Sequence, residues 1–275
     1  MAELQGKVVL VTGAGAGIGR ETARALARKG AHVLAAARSQ ERVQPLLDEL
    51  ARDGHSAEAL VMDLASLKSV RSAAESVAAK HPRLHALVNN AGIWSGKRTV
   101  TADGYEHTWA VNVLAPFLLT ELLLEPLRSA KGRVVNVSSR EHENGRMNWA
   151  DLQHEKGFGA RKVYQQSKLA LTMLTNELAR REEGRLTANS LHPGIIATEL
   201  FRNFPGFIRF WINLLMRTPE DGAQPQIKLA SAPEFESVTG RYYRRFKETK
   251  PHELVLDKAA AARLWDICRE HTCKA

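Results

Sequence analysis

Little in this 275-residue chain could serve as a covalent or metal scaffold. Its two cysteines, Cys268 and Cys273, cannot build a disulfide framework and match no CxxC zinc or redox spacing. A reducing, cytoplasmic setting is therefore expected. No uncharged apolar run reaches the ~18 residues of a membrane span; the longest, 108–120, is interrupted by Asn112. The opening MAELQGKVVLVTG lacks the charged start and long apolar stretch of a signal peptide, so a soluble chain without a transmembrane segment is expected. Metal chemistry is not expected, because His154-Glu155 is followed by Phe158 where H-E-x-x-H needs its second histidine. No G-x-S-x-G elbow surrounds Ser139, which argues against a serine hydrolase. In GIWSGKR, 92–98, three residues separate the glycines where an ATP-type phosphate loop needs four, and Arg98 stands where a magnesium-binding hydroxyl belongs. Acidic residues number 30 against 39 basic ones, a formal charge of +9. The bases are interleaved with acids, as in RREEGR, so a solvated surface is expected rather than a nucleic-acid partner.

What the chain does have is alternation. Short β-branched apolar runs, KVVLV, AHVLAAA, AEALVM, LHALVN, GRVVNV and LTANSL, are separated by longer segments of helical period. A seventh, GRYYRR at 240–245, precedes a last helix that Asp257 can cap. This pattern predicts an α/β fold: a doubly wound, mostly parallel seven-stranded sheet, Rossmann-like, with helices on both faces. No linker or repeat interrupts it, so residues 1–275 read as one domain. Pro45 falls inside a predicted helix, which it should kink or shorten.

Two stretches suggest chemistry. TGAGAGIG, 12–19, joins the first strand to a helix, and its Gly13-x3-Gly17-x-Gly19 turn presents backbone amides suited to a pyrophosphate; a tight turn without a ligand is the alternative. YQQSK, 164–168, puts Tyr164 and Lys168 one helical turn apart on one face. A neighbouring ammonium favours the phenolate, so such a pair can be tuned for proton transfer, although a half-buried helix surface would also produce the spacing.

Taken in order, TGAGAGIG, Asp63-Leu64, NNAG at 89–92, Asn112, VNVSS at 135–139, YQQSK and HPGIIAT at 192–198 resemble the short-chain dehydrogenase/reductase family over essentially the whole chain. The resemblance implies Tyr164 as general acid/base, Lys168 as the group that lowers its pKa and holds the nicotinamide ribose, and Ser139 as the hydroxyl on the substrate oxygen. It implies Asn112 in a proton relay through water, and a structural place for Ser138. Cofactor contacts implied by the same match are Gly13, Gly17, Ile18, Gly19, Asp63, Leu64, Asn90, Ala91, Gly92, Pro193 and Thr198, with Tyr164 and Lys168.

At the end of the second strand Ala36 and Ala37 leave the acid position of an NAD site empty, and Arg38 follows, so NADP(H) is favoured. The 25 positions from Ser139 to Tyr164, with DGYEHTWAVNVLAPFLLTELLL and TGRYYRRFKETKPH, resemble the retinol dehydrogenase branch. That implies an alcohol–carbonyl oxidoreductase acting on an apolar substrate: a retinoid, a lipid aldehyde or a secondary-metabolite carbonyl. The segment 201–217 carries five aromatics, and an apolar stripe including Phe207 and Trp211 reads as a substrate lid. Its arginines also suit contact with an anionic membrane surface, and the apolar run from Leu169 to Leu178 suits a homodimer seam. The rival readings are an NAD(H)-dependent dehydrogenase of a polar alcohol and a non-catalytic dinucleotide-binding regulator.

Overall fold

Every apolar run expected as a strand is one in the computed structural model, which describes residues 3–194 and 218–273. The strands are β1 (Val8–Thr12), β2 (His32–Ala37), β3 (Ala57–Val61), β4 (Ala86–Asn89), β5 (Arg133–Val137), β6 (Thr187–His192), β7 (Tyr242–Arg244) and β8 (Lys247–Glu248). They form a single sheet in the order β3-β2-β1-β4-β5-β6-β7-β8. The first seven are parallel, and β8 returns antiparallel to β7. The sheet thus has eight strands rather than the expected seven. The extra one is a two-residue hairpin return after Arg245 in the left-handed region, φ 56°, too short and polar to carry a period.

Successive residues of a strand face opposite sides, and both sides here are apolar. From β1, Leu10 joins one core, while Val9 and Val11 join the other. The Val9 side is covered by α1 (Gly17–Arg28), α2 (Gln44–Arg52) and, from the far end of the chain, α8 (Pro219–Ser231), which packs along α1. On the Leu10 side lie α3 (Leu67–Lys80), α4 (His107–Trp109), α5 (Ala115–Leu122), α7 (Ala160–Arg181) and α10 (Lys258–Cys273). Short helices α6 (Leu124–Ser129) and α9 (Glu253–Leu256) complete the connections. Asp257 caps α10 as expected, its Oδ1 accepting from the amides of Ala259 and Ala260. Pro45 neither kinks nor interrupts α2, because the helix starts at Gln44 and the proline occupies the first turn, where no amide is needed.

The expected homodimer seam is also corrected. Leu169, Leu171, Leu174 and Leu178 do not form an outer seam; they are buried in the protomer's own core, where α10 covers α7 with Leu264 and Trp265. A run of leucines looks the same whether its cover comes from a second copy or from residues a hundred positions downstream. Thr198, Phe207 and Trp211, and with them the 201–217 lid and membrane-contact readings, lie outside the described residues.

Candidate active site

The strand order reverses between β1 and β4, and this is where an open α/β sheet leaves a crevice at its carboxyl edge. The two strand ends are tied there by Thr12, whose Oγ1 accepts from the amides of Asn90 and Ala91, each at 3.0 Å. The glycines of the turn have separate jobs. Gly13 and Gly17 adopt φ 71° and 52°, which disfavours any residue with a Cβ. Around Gly17 a Cβ would meet nothing within 4 Å, whereas at Gly19 it would lie 2.2 Å from the Gly13 carbonyl oxygen. So Gly19 lets helix and strand approach, and Gly17 opens the α1 N-terminus. Ala16 precedes that helix without a side-chain cap, and its first turn holds no acid, so the helix presents amides and positive dipole to the crevice. Ile18, half-buried, packs on the apolar cluster beneath.

Across the crevice, β5 is followed by Ser138 and Ser139. Ser138 points inward: its hydroxyl donates to the Lys168 carbonyl at 3.1 Å and pairs with Thr172 Oγ1 at 2.8 Å, a structural role. Ser139 is half-buried and caps the short 3-10 turn Arg140–Asn144 by accepting from the Glu141 amide. Its hydroxyl also neighbours the Tyr164 phenol and acts to lower that phenol's pKa. Burial pushes the phenol above its ordinary pKa, the Ser139 hydroxyl pulls it down, and the Glu141 charge adds to the rise; Tyr164 is protonated at neutral pH. Lys168 is only 3% exposed; its Nζ donates to the Val137 carbonyl at 2.9 Å and lies 5.8 Å from the centre of the Tyr164 ring. Burial brings its pKa down to about 8.

Asn112 joins the two halves. Four residues after it comes Pro116, which has no amide to give the Asn112 carbonyl, and the backbone from Ala110 to Leu114 widens into a π turn. The Asn112 side chain accepts from the Ile93 amide at 2.8 Å and donates to the Ile93 carbonyl at 2.9 Å and Ser167 Oγ at 3.0 Å. It therefore staples the loop after β4 to α7. Gly92 on that loop sits so close that a Cβ would meet Lys168 Nζ at 2.9 Å and Asn112 Oδ1 at 3.3 Å.

Residues 7–206 match the short chain dehydrogenase family. The chain belongs to this family. Among its relatives, mouse (Mus musculus) retinol dehydrogenase 14 is 42% identical, over 96% of this chain and 85% of that protein, and the chain falls within the retinol dehydrogenase-like branch. A solved protein from Mycobacterium paratuberculosis superposes with TM-score 0.81 at 30% identity, over 98% of this chain and 94% of that one. A blue fluorescent protein from a metagenomic library, solved in complex with NADPH, superposes with TM-score 0.71 at 31% identity, over 88% and 97%.

As in a short-chain dehydrogenase, then, the structure brings Ser139, Tyr164, Lys168 and Asn112 into one corner, facing the glycine turn across the ends of β1 and β4. Asp63 and Leu64 follow β3, with Asp63 Oδ1 accepting from the Ala65 amide, and Pro193 follows β6. Asn90 is tied inside the protein: its amide donates to the Thr12 carbonyl at 2.9 Å, and its Oδ1 accepts from Gln226 at 3.1 Å. Arg38 is exposed just beyond β2 and makes no ion pair among the described residues. Two supporting residues went unread in the sequence. Thr12 stood inside the glycine motif, where a strand-end hydroxyl was a usable signal. Gln226, bonded also to Thr22, comes from α8 and had none.

Proposed function

We propose that this oxidoreductase is an NADP(H)-dependent enzyme, acting as a single catalytic domain, that interconverts an apolar alcohol with its ketone or aldehyde. The observation that carries the reading is the Tyr164 ring 5.8 Å from the Nζ of a buried Lys168, with the Ser139 hydroxyl as the phenol's neighbour. A substrate oxygen that both hydroxyls can reach is held in place by Ser139 and exchanges a proton with Tyr164. The phenol is protonated at neutral pH at its ordinary pKa, and burial pushes that pKa further up, so the ground state is set to donate a proton, as carbonyl reduction requires. Lys168, at about 8, is mostly cationic at neutral pH and favours the phenolate that donation leaves behind. Asn112 fixes the loop between them.

The crevice fits a dinucleotide phosphate: an uncapped helix N-terminus, glycines leaving room for it, and Arg38 directly after the alanines that stand where an NAD site would carry an acid. Gly13, Gly17, Ile18 and Gly19 would hold the pyrophosphate, Arg38 the 2′-phosphate, Asp63 and Leu64 the adenine side, and Lys168 the nicotinamide ribose. When bound, the cofactor supplies or accepts the hydride. NADPH in the metagenomic relative supports the cofactor, and the retinol dehydrogenase relative supports an apolar substrate. Trp94, 42% exposed on the loop leaving β4, adds apolar surface at this end.

NADPH and NADH oxidation, followed by absorbance across retinal, medium-chain aldehydes and small polar carbonyls, tests the reading. Retinal and medium-chain aldehydes should react best, with NADPH preferred; Arg38→Asp should reverse the cofactor ratio. An unchanged ratio in that variant would show that the 2′-phosphate is read elsewhere. Preference for polar carbonyls would remove the substrate class.

A further inference from the structure

At the opposite end of the sheet three side chains from different elements converge. His32 opens β2, Glu58 lies in β3, and His81 directly follows α3. Each offers one ligand atom, and the three atoms lie within 4.8 Å of one another. His81 Nε2 is 3.1 Å from Glu58 Oε1, and the two imidazole rings are 5.5 Å apart between centres. We propose that His32, Glu58 and His81 bind a divalent transition-metal ion of the zinc class, stapling the edge strand β3 to β2 and to the end of α3.

Two histidines and one carboxylate are a donor set that zinc takes in three-ligand sites with an open position, whereas magnesium and calcium prefer all-oxygen surroundings. Ligands about 2.1 Å from a tetrahedral ion lie roughly 3.4 Å from each other. The His81–Glu58 spacing already approaches that. No two of the three ligand atoms lie more than 4.8 Å apart, and the Glu58 side chain, 43% exposed, has room to adjust. Ser56 Oγ lies 2.7 Å from His32 Nδ1, so Nε2 is the nitrogen left for an ion, and the ring is oriented by a partner outside the ligand set. His81 sits at the carboxyl end of α3, where the helix dipole favours a cation. Beside the cluster runs a groove of about 300 Å³ between β3 and α3, which leaves room for water on the open position. Lys80 also lines it, but is exposed, so its charge is screened by solvent. No sequence motif reveals this set, because each ligand comes from a separate element.

His32 opens β2 and Arg38 directly follows it, six positions or ~20 Å along the strand. The site is therefore a fastening rather than part of the catalytic machinery, and turnover should not depend on it.

The test uses the full chain stripped with a chelator. Zinc is titrated in competition with a chromophoric chelator, and cobalt is followed by its visible absorption. One ion per chain is expected, with a rise in Tm of about 3 °C or more at saturating zinc. Glu58→Gln and His81→Gln, checked for fold by circular dichroism, should weaken zinc at least tenfold and remove the Tm rise, with carbonyl reduction unchanged. Should His81→Gln fail to fold, Glu58→Gln alone decides. The exposed thiol of Cys273 is the competing ligand. Uptake that survives Glu58→Gln, that disappears in Cys273→Ser, or that never saturates at one equivalent overturns the proposal.

Discussion

The turn after β1 and the corner at the end of β5 face the same crevice by different means. Gly13, Gly17 and Gly19 contain nothing that titrates, and they work through the space left by a missing Cβ. Tyr164 and Lys168 are ordinary ionisable groups whose pKa values are moved by burial, the phenol upward and the amine down to about 8. A turn of the first kind is robust to pH and intolerant of a methyl group. A corner of the second kind tolerates isosteric change in its shape but loses its chemistry with one oxygen or nitrogen.

The largest separation of the two should come from Tyr164→Phe, which keeps the ring and removes the proton. Turnover should fall about 10³-fold while NADPH affinity, measured by fluorescence titration, stays within a few-fold; comparable loss of both would mean the tyrosine mainly builds the cofactor site.

Next is the pH dependence of stability. With Lys168 at about 8 folded and near 10.5 unfolded, the unfolded chain binds more protons between those values, so stability rises with pH through that window. Relative to Lys168→Met, the wild type should gain up to about 3 kcal/mol from pH 8 to 10.5 in urea titrations. A flat difference would mean the amine is not desolvated.

Gly19→Ala attacks the other side. Its methyl group would strike the Gly13 carbonyl, so it should cost about 1–3 kcal/mol and weaken NADPH binding, leaving the pH profile of kcat unchanged. A shifted profile would show the two regions are coupled.

The smallest effect distinguishes neighbours on one strand. Ser138→Ala should cost about 1 kcal/mol of stability with little change in kcat, whereas Ser139→Ala should lower kcat about 10²-fold. Reversal of that pattern would exchange the two serines.

Much of this was legible beforehand where a residue type has one common use. Strand-to-helix glycines, an i,i+4 tyrosine and lysine, and the alternating apolar runs each carry a local signal, and seven strands followed from it. Ser139 over Ser138 came from family likeness; the structure adds that Ser138 is hydrogen-bonded inward. Less visible were groups defined by what meets them in space: Gln226 holding Asn90, α10 covering the leucines of α7, and His32 meeting Glu58 and His81 across two strands and a helix. Asn90 was readable as present but not as already engaged.

Local covalent facts, which residues lack a Cβ or an amide and which alternate polar with apolar, act over a few positions and so belong to the chain alone. They determined the strands, the glycine turn and, through Pro116, the break in helix hydrogen bonding beside Asn112. Desolvation and long-range hydrogen bonding depend on neighbours from distant parts of the chain. Only folding decided that Lys168 would be stripped of water, that the Tyr164 phenol would be pushed above its ordinary pKa, and which leucines and histidines would find partners within the same molecule.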